Sequence, residues 1–128
     1  MKYWTEEKLR ESGYTIENVK INSVELSMAD HCQLTLRMWI EGEKWSSVVG
    51  GFSIGRGYLG GKKFSGCLPG IDCLMQIMNI VGVAEFSELA GKYIRVAAKE
   101  GSYRNIFGNF IKDIWFDVEQ QFITCNNH

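Results

Sequence analysis

The side chains of this sequence that could do chemistry are few, and the densest group is Asp30, His31 and Cys32. Asp30 could orient the imidazole of His31, and Cys32 could supply a thiolate nucleophile. Adjacent residues of a strand point to opposite faces, so His31 and Cys32 are poorly placed to form a hydrogen-bonded pair. We expect His31 to be a turn residue bonded to the backbone. The sequence shows no Ser-His-Asp set, metal-binding His pair or paired-carboxylate motif, and we expect no enzyme.

Four cysteines make a metal site the second chemical possibility. In a cytosolic protein, cysteines are by default reduced and serve as small core residues. Zinc needs four convergent ligands, and nothing in the spacing enforces convergence. We therefore expect no cofactor. The alternative is a zinc site built from His31, Cys32, Cys67 and Cys73, or from the tail Cys125-x-x-His128.

Six of the fourteen glycines lie between Gly50 and Gly61, and this run contains the spacing G-x-G-x-x-G. A dinucleotide site needs a strand, an immediate turn and a helix whose N-terminus receives the pyrophosphate. The predicted helix begins only at Leu68, and no second strand closed by an acid follows, so we reject a dinucleotide site. The run instead predicts a strand that ends in a long loop. The loop's cations Arg56, Lys62 and Lys63 could meet an anion; we expect them to be solvated charges.

Composition excludes several classes of function. At 128 residues the chain is long enough for one domain with a real core. A net charge of −1 gives no electrostatic case for a broad nucleic-acid interface. The longest apolar stretch, 74–84, is interrupted by Gln76, Asn79 and Gly82, which argues against a membrane span. The N-terminal residues lack a hydrophobic signal region, so we expect a cytoplasmic protein.

Alternating and capping patterns predict the elements. Thr5 as N-cap, acids in the first turn and Gly13 at the end predict a short N-terminal helix. The alternation of 16–28 changes phase at Asn22-Ser23, which predicts a bulge there. Further strands are predicted over 34–40 and from about Trp45 to Ile54, and together the three form an antiparallel meander.

The second half of the sequence predicts one main helix and a last hairpin. The helix opens at Leu68-Pro69-Gly70 and ends at Gly82. Its predicted buried face carries apolar residues at three- and four-residue spacing: Ile71, Leu74, Met75, Ile77, Met78 and Val81. A short helical turn follows around Ser87-Glu88-Leu89. Strands over 93–99 and 103–112 then form a hairpin through Glu100-Gly101-Ser102, and a terminal amphipathic segment follows.

These elements predict one α+β domain. Its antiparallel sheet of about five strands, in the order βββ-α-ββ, carries one main helix on a face and short terminal helices. Residues 1–14 form the N-terminal helical segment, 15–117 the core and 118–128 a tail.

The aromatic side chains favour a binding protein or a second small core. Trp39 lies on the strand face opposite Leu36 and Met38, Trp45 lies across the next turn, and Tyr58 lies at the loop tip. Interfaces are enriched in Trp, Tyr and Arg. We predict partner contacts at Trp39, Trp45, Arg56, Tyr58, Lys62 and Lys63. The alternative places the surplus aromatics in a small core beneath the terminal helices, since Trp115 and Phe116 cannot both face one core.

Several segments together resemble a family of small proteins encoded by phages and prophages of Firmicutes. They include Asn18-Val19, 24–31, Gly50-Gly51-Phe52, 57–60, 77–79, 81–83, 91–96, Gly108-Asn109, Lys112-Asp113 and Trp115-Phe116. The resemblance covers roughly 16–117. The family pattern usually has glycine at Cys32, small residues other than cysteine at Cys67 and Cys73, and tryptophan at Phe86.

The resemblance implies a phage context, and small phage proteins without enzymatic activity often inhibit host defence. We expect an inhibitor of bacterial immunity that binds an effector protein, such as an anti-CRISPR protein on its nuclease, in the cytoplasm of the bacterial host. A homodimer is compatible with this expectation. The alternatives are a sponge that sequesters a nucleotide immune signal near the glycine run, and a phage structural or accessory protein.

Overall fold

The computed structural model describes residues 4–30, 32–57, 64–100 and 106–118, except for the side chains of Ala29 and Asp30. The helices are α1 (Glu6–Glu11) and α2 (Leu68–Val81), with a 3₁₀ helix at Phe86–Leu89. The strands are β1 (Thr15–Asp30), β2 (Gln33–Glu41), β3 (Ser46–Gly57), β4 (Phe64–Gly66), β5 (Tyr93–Ala98), β6 (Ile106–Gly108) and β7 (Trp115–Asp117).

In the described residues, seven strands form one antiparallel sheet, in the order β4-β3-β2-β1-β5-β6-β7. We call the side against which α2 packs the front and the opposite side the back. The α+β class and the single main helix are confirmed, but the expected number of five strands is wrong. The additional strands β4 and β7 have three residues each. Segments this short do not show the alternation by which strands are recognised.

The long strand β1 joins the two halves of the sheet. Its first residues pair with β5, and from Lys20 onward it pairs with β2. The register shifts between Ile21 and Ser23, so the predicted bulge is confirmed. Because of the shift, Val19 and Ile21 on one side of the bulge and Val24 on the other all pack on the front core.

The described part of the glycine run, 50–57, belongs to β3, which continues to Gly57 and does not end at Ile54 as the sequence suggested. Gly50 has φ of 116°, and a Cβ there would lie 2.3 Å from the carbonyl oxygen of Leu36. The register between β2 and β3 shifts at this point. Gly50 therefore allows a bulge in which two strands approach closely. Arg56 lies within the strand, paired with Gln33 and Ser65, and is not on a loop.

The main helix α2 has the predicted bounds. It starts at Leu68, with Pro69 in its first turn, and its C-cap Gly82 has φ of 87°. The buried residues of α2 are Gly70, Cys73, Ile77 and Ile80. Of the predicted face, Leu74, Ile77, Met78 and Val81 pack on the front core, whereas Ile71 and Met75 are exposed. Apolar residues cover more than half of the helix circumference, so spacing alone could not separate these two groups.

A second, smaller core lies on the back of the sheet beneath α1. It consists of Leu9, Tyr14, Ala97 and Ile106, with Trp4, Ile16 and Trp115 packed against it. Phe116 packs on the front core instead, as the alternation along β7 requires. For Trp4, Tyr14 and Trp115 the expectation of a second small core is confirmed. Among the described residues, α1 covers this core, and 115–117 form the strand β7.

Polar contacts fix α1 on this core. The Thr5 hydroxyl caps the helix by accepting the Lys8 N–H, as predicted. Asp113 accepts the backbone N–H of Glu6 at 2.8 Å. The Glu6 carboxylate pairs with Arg10 and with Arg95. The first turn of α1 is therefore bonded to the loop before β7 and to β5.

Within the described residues, no helix has the length and apolar character needed to cross a membrane.

Candidate protein-binding surface

Two of the residues predicted to contact a partner lie together on the back of the sheet. Trp39 is half-buried and stands between Ser23 of β1 and Val48 of β3. Arg56 is exposed and pairs with Gln33, which shares the face of Trp39 along β2. Both therefore face away from α2. Tyr58, Lys62 and Lys63 lie outside the described residues.

The third aromatic of the predicted set, Trp45, is part of the fold. Its indole N–H donates to Glu17 at 2.8 Å, and its ring packs against the front core. A Cβ at Gly42 would lie 2.5 Å from the Trp45 indole ring, so the absence of a side chain at this position of the turn leaves room for the ring. Contact of Trp45 with a partner remains a prediction, but its indole N–H already donates to Glu17.

The alternative zinc set is not supported as a ligand group. Cys67 is disulfide-bonded, with a partner outside the described residues, which corrects the expectation of four reduced cysteines. Disulfides form where the fold brings two Cα atoms within about 7 Å, a proximity that spacing does not reveal. Cys73 is buried, and burial raises the pKa of its thiol to about 12, so it stays protonated. His31 lies outside the described residues, and among those described no three metal-ligating side chains converge.

A group of exposed apolar side chains on α2 was missed by the sequence analysis. Leu68, Ile71 and Met75 are 72%, 37% and 62% exposed. They follow one another at three- and four-residue spacing and therefore line one side of the helix. None of the three is among the side chains that pack on the front core. We call these three residues the α2 ridge.

A second exposed apolar group lies on the front of the sheet. Leu26 pairs with buried Leu36, so it faces the same side as the core, yet it is 39% exposed. Met28 follows on the same face, and its methyl group and the ring of Phe64 both approach Gly57. Phe64 is 75% exposed. The apolar front of the sheet thus continues beyond the side chains that form the core.

One signal in the sequence could have identified the α2 ridge. Apart from Asp72, Gln76 and Asn79, the fourteen residues of α2 are apolar or glycine. A helix that is hydrophobic around most of its circumference needs cover on more than one side. The sheet covers only one side of α2, so the remaining apolar side chains stay in contact with solvent.

Compared with known protein families, curated proteins and solved structures, the chain matches none of them.

Proposed function

We propose that this chain inhibits bacterial immunity by binding an effector protein, a CRISPR nuclease, in the cytoplasm of the bacterial host. Inhibition of this kind needs a surface that excludes the effector's own partner or substrate, and it needs no catalytic group. The phage context comes from the family resemblance described above. The mode of action is inferred from the surface.

The observation that carries the proposal is the α2 ridge. Full burial of a Leu, Ile or Met side chain stabilises an association by about 1.5–3 kcal/mol. The ridge offers three such side chains on a helix whose opposite side is already fixed on the sheet. Little conformational entropy is lost when a helix held in this way meets a partner. An amphipathic helix that presents its apolar side to a groove is a common mode of recognition.

The back of the sheet offers a second contact surface for the same proposal. Trp39 and exposed Arg56 are of the residue types enriched among binding hot spots. Val48, directly opposite Trp39, is 50% exposed and extends the apolar area. Tyr58, Lys62 and Lys63 remain proposed contacts.

The experiment measures target cleavage by guide-loaded CRISPR nucleases with and without the purified protein. We expect at least one nuclease to be inhibited at a stoichiometric ratio, with a stable complex in gel filtration. Met75→Lys should abolish inhibition, whereas Gln76→Lys, which adds the same charge at the neighbouring exposed position of α2, should not. Trp39→Ala and Arg56→Ala test the back of the sheet in the same assay.

Absence of any complex with a panel of effectors would overturn the proposal. Equal inhibition by the Met75→Lys and Gln76→Lys proteins would remove the α2 ridge from it. Calorimetry with cyclic nucleotides separates the alternative of a nucleotide sponge, because a sponge binds its ligand without any protein partner.

A further inference from the structure

The loop between β6 and β7 is held rigidly by one side chain. The Asn109 amide group donates to the carbonyl oxygen of Ile80, near the end of α2, at 2.9 Å. Its side-chain oxygen accepts the backbone N–H groups of Ile111 at 2.7 Å and of Lys112 at 2.9 Å. The loop is closed by a bond from the Asn109 N–H to the Ile114 carbonyl oxygen at 3.1 Å.

This fixed loop presents apolar side chains to solvent. Phe110, Ile111 and Ile114 are 49%, 91% and 44% exposed. None of the three packs on either core. Exposure of Ile111 therefore costs solvation free energy and is not needed to close the loop, because Asn109 closes it through backbone groups.

We propose that Phe110, Ile111 and Ile114 form an anchor that inserts into an apolar pocket on a partner protein. This inference rests on the proposed function in that it requires a protein partner, and it names the chemistry of the partner's site. Ile111 is 91% exposed, so its complement is an apolar pocket that encloses the whole side chain. The loop is bonded to the carbonyl oxygen of Ile80, which lies about 8 Å from Met75 along the α2 axis, a separation that one partner protein can span.

The size of the anchor argues against a second copy of this chain as the occupant. A standard interface buries about 800 Å² on each partner. Three partly exposed side chains supply on the order of a few hundred Å². A symmetric dimer through the anchor alone would therefore be unstable. A pocket that encloses these side chains gains more from each of them, because buried central anchors contribute most of the binding energy at interfaces.

The charge of the loop argues against a membrane surface. Adsorption to anionic lipid requires a cluster of cations beside the apolar residues. The loop carries Lys112 and Asp113, so its charges balance. The Asp113 carboxylate is also used within the protein. It accepts the backbone N–H of Glu6 in α1 and the indole N–H of Trp115. The uncharged character of the anchor therefore fits a protein pocket better than a lipid headgroup layer.

Rigidity is the second property that favours a pocket. A flexible loop loses conformational freedom on insertion, whereas a loop already fixed by Asn109 does not. Weakening the loop should therefore reduce affinity even where all three anchor side chains remain. Asn109→Ala removes the bonds to Ile111, Lys112 and Ile80 and leaves the anchor residues unchanged.

Photo-crosslinking tests the proposal in living bacterial host cells. A benzophenone side chain is placed at 111, at 75 on the α2 ridge, or at the control position Glu7, an exposed residue of α1 that lies on neither proposed contact surface. We expect a single protein adduct from position 111, identified by mass spectrometry and attached to residues that line an apolar pocket. Purified adduct partner should bind the unmodified chain, and Ile111→Ser should weaken that binding at least tenfold, whereas Ile111→Leu should not.

Other outcomes overturn the proposal. They are an adduct between two copies of this chain, cosedimentation with phosphatidylglycerol vesicles that is lost on Ile111→Ser, and no adduct at 111. An adduct from position 75 without one from 111 would overturn the anchor and leave the proposed function standing. Binding that Ile111→Ser and Asn109→Ala leave unchanged would also overturn it. Because Ile111 is almost fully exposed, its substitution should not disturb folding.

Discussion

Trp45 and Glu17 are joined across the first half of the sheet by a 2.8 Å hydrogen bond from the indole N–H to the carboxylate. The other oxygen of the Glu17 carboxylate accepts the backbone N–H of Glu43 at 2.7 Å. One carboxylate of β1 therefore fixes both the turn between β2 and β3 and the aromatic side chain that follows the turn. The half-buried state of Trp45 thus has a structural cause that does not involve a partner.

Removal of the Glu17 carboxylate should destabilise the protein. Glu17→Ala leaves the half-buried indole N–H without its acceptor, and we expect a loss of about 1–2 kcal/mol in the free energy of unfolding. Trp45→Phe keeps most of the ring and loses only the donor, so we expect about 1 kcal/mol. Urea denaturation measures both. Glu41→Ala, an exposed position on β2, is the control; an equal effect of Glu17→Ala and Glu41→Ala would contradict the structural role.

Cys32 should be replaceable by glycine with a gain in stability. Its φ of 62° lies in the left-handed region, which costs a residue with a Cβ about 1–2 kcal/mol. Glycine removes this cost, but its greater freedom in the unfolded chain lowers the free energy of unfolding by about 0.4–1 kcal/mol. We therefore expect Cys32→Gly to raise the free energy of unfolding by about 0.5–1 kcal/mol.

The matched control for Cys32→Gly is Cys32→Ala, which removes the thiol but keeps the Cβ and should bring no gain. Thermal unfolding of the three proteins distinguishes these effects. A protein with Cys32→Gly that unfolds at or below the temperature of the Cys32→Ala protein would contradict the argument.

Local signals in the sequence were sufficient for much of the fold. The Thr5 cap, the phase change at Asn22-Ser23 and the Pro69 and Gly82 boundaries of α2 each depend on neighbouring residues, and each is confirmed. Features set by distant contacts were missed. The three-residue strand β4 is formed by antiparallel pairing with β3, and so short a segment shows no alternating pattern in the sequence.

The candidate surface was harder to predict than the fold, because exposure depends on how α2 is rotated on the sheet. Met75 and Ile77 are both apolar and both fit a helical face, yet Met75 is 62% exposed and Ile77 is fully buried. Only the packing of α2 decides between them. Trp45 was predicted as a surface contact but is held by the fold. The sequence could not show this, because its bond to Glu17 joins residues that are 28 positions apart.

Gly70 fixes the distance between α2 and the sheet. A Cβ at this position would lie 2.2 Å from the carbonyl oxygen of Ser53, which belongs to the backbone of β3 and cannot rotate away. Gly70→Ala should therefore push the first turn of α2 from the sheet and cost about 1–3 kcal/mol, as overpacking of a core does. Denaturant unfolding measures this cost. Gly66→Ala is the control because no atom lies within 4 Å of its Cβ, and comparable losses in the two proteins would contradict the close approach.

The contribution of Glu6 to stability should disappear in acid. The hydrogen bond from Arg95, followed by that from Arg10, lowers the pKa of the Glu6 carboxyl below its usual 4.5. The folded state then binds the proton more weakly than the unfolded state does. Stability from this group is therefore present in full above about pH 4.5 and is lost as the pH falls through the lowered pKa. Glu6→Gln removes the charge, so its unfolding free energy should depend less on pH in that range.

Unfolding of the native and Glu6→Gln proteins between pH 3 and 7 tests this linkage. The native protein should be the more stable one at pH 7, and the difference should shrink as the pH falls below 4.5 and through the lowered pKa of Glu6. Added salt should reduce the difference at pH 7, because Glu6 and Arg10 are solvent-exposed. Glu7→Gln changes the same charge at the next exposed position of α1 and serves as the control. A difference between the native and Glu6→Gln proteins that stays constant over the pH range would show that the Arg95 and Arg10 contacts do not stabilise the attachment of α1.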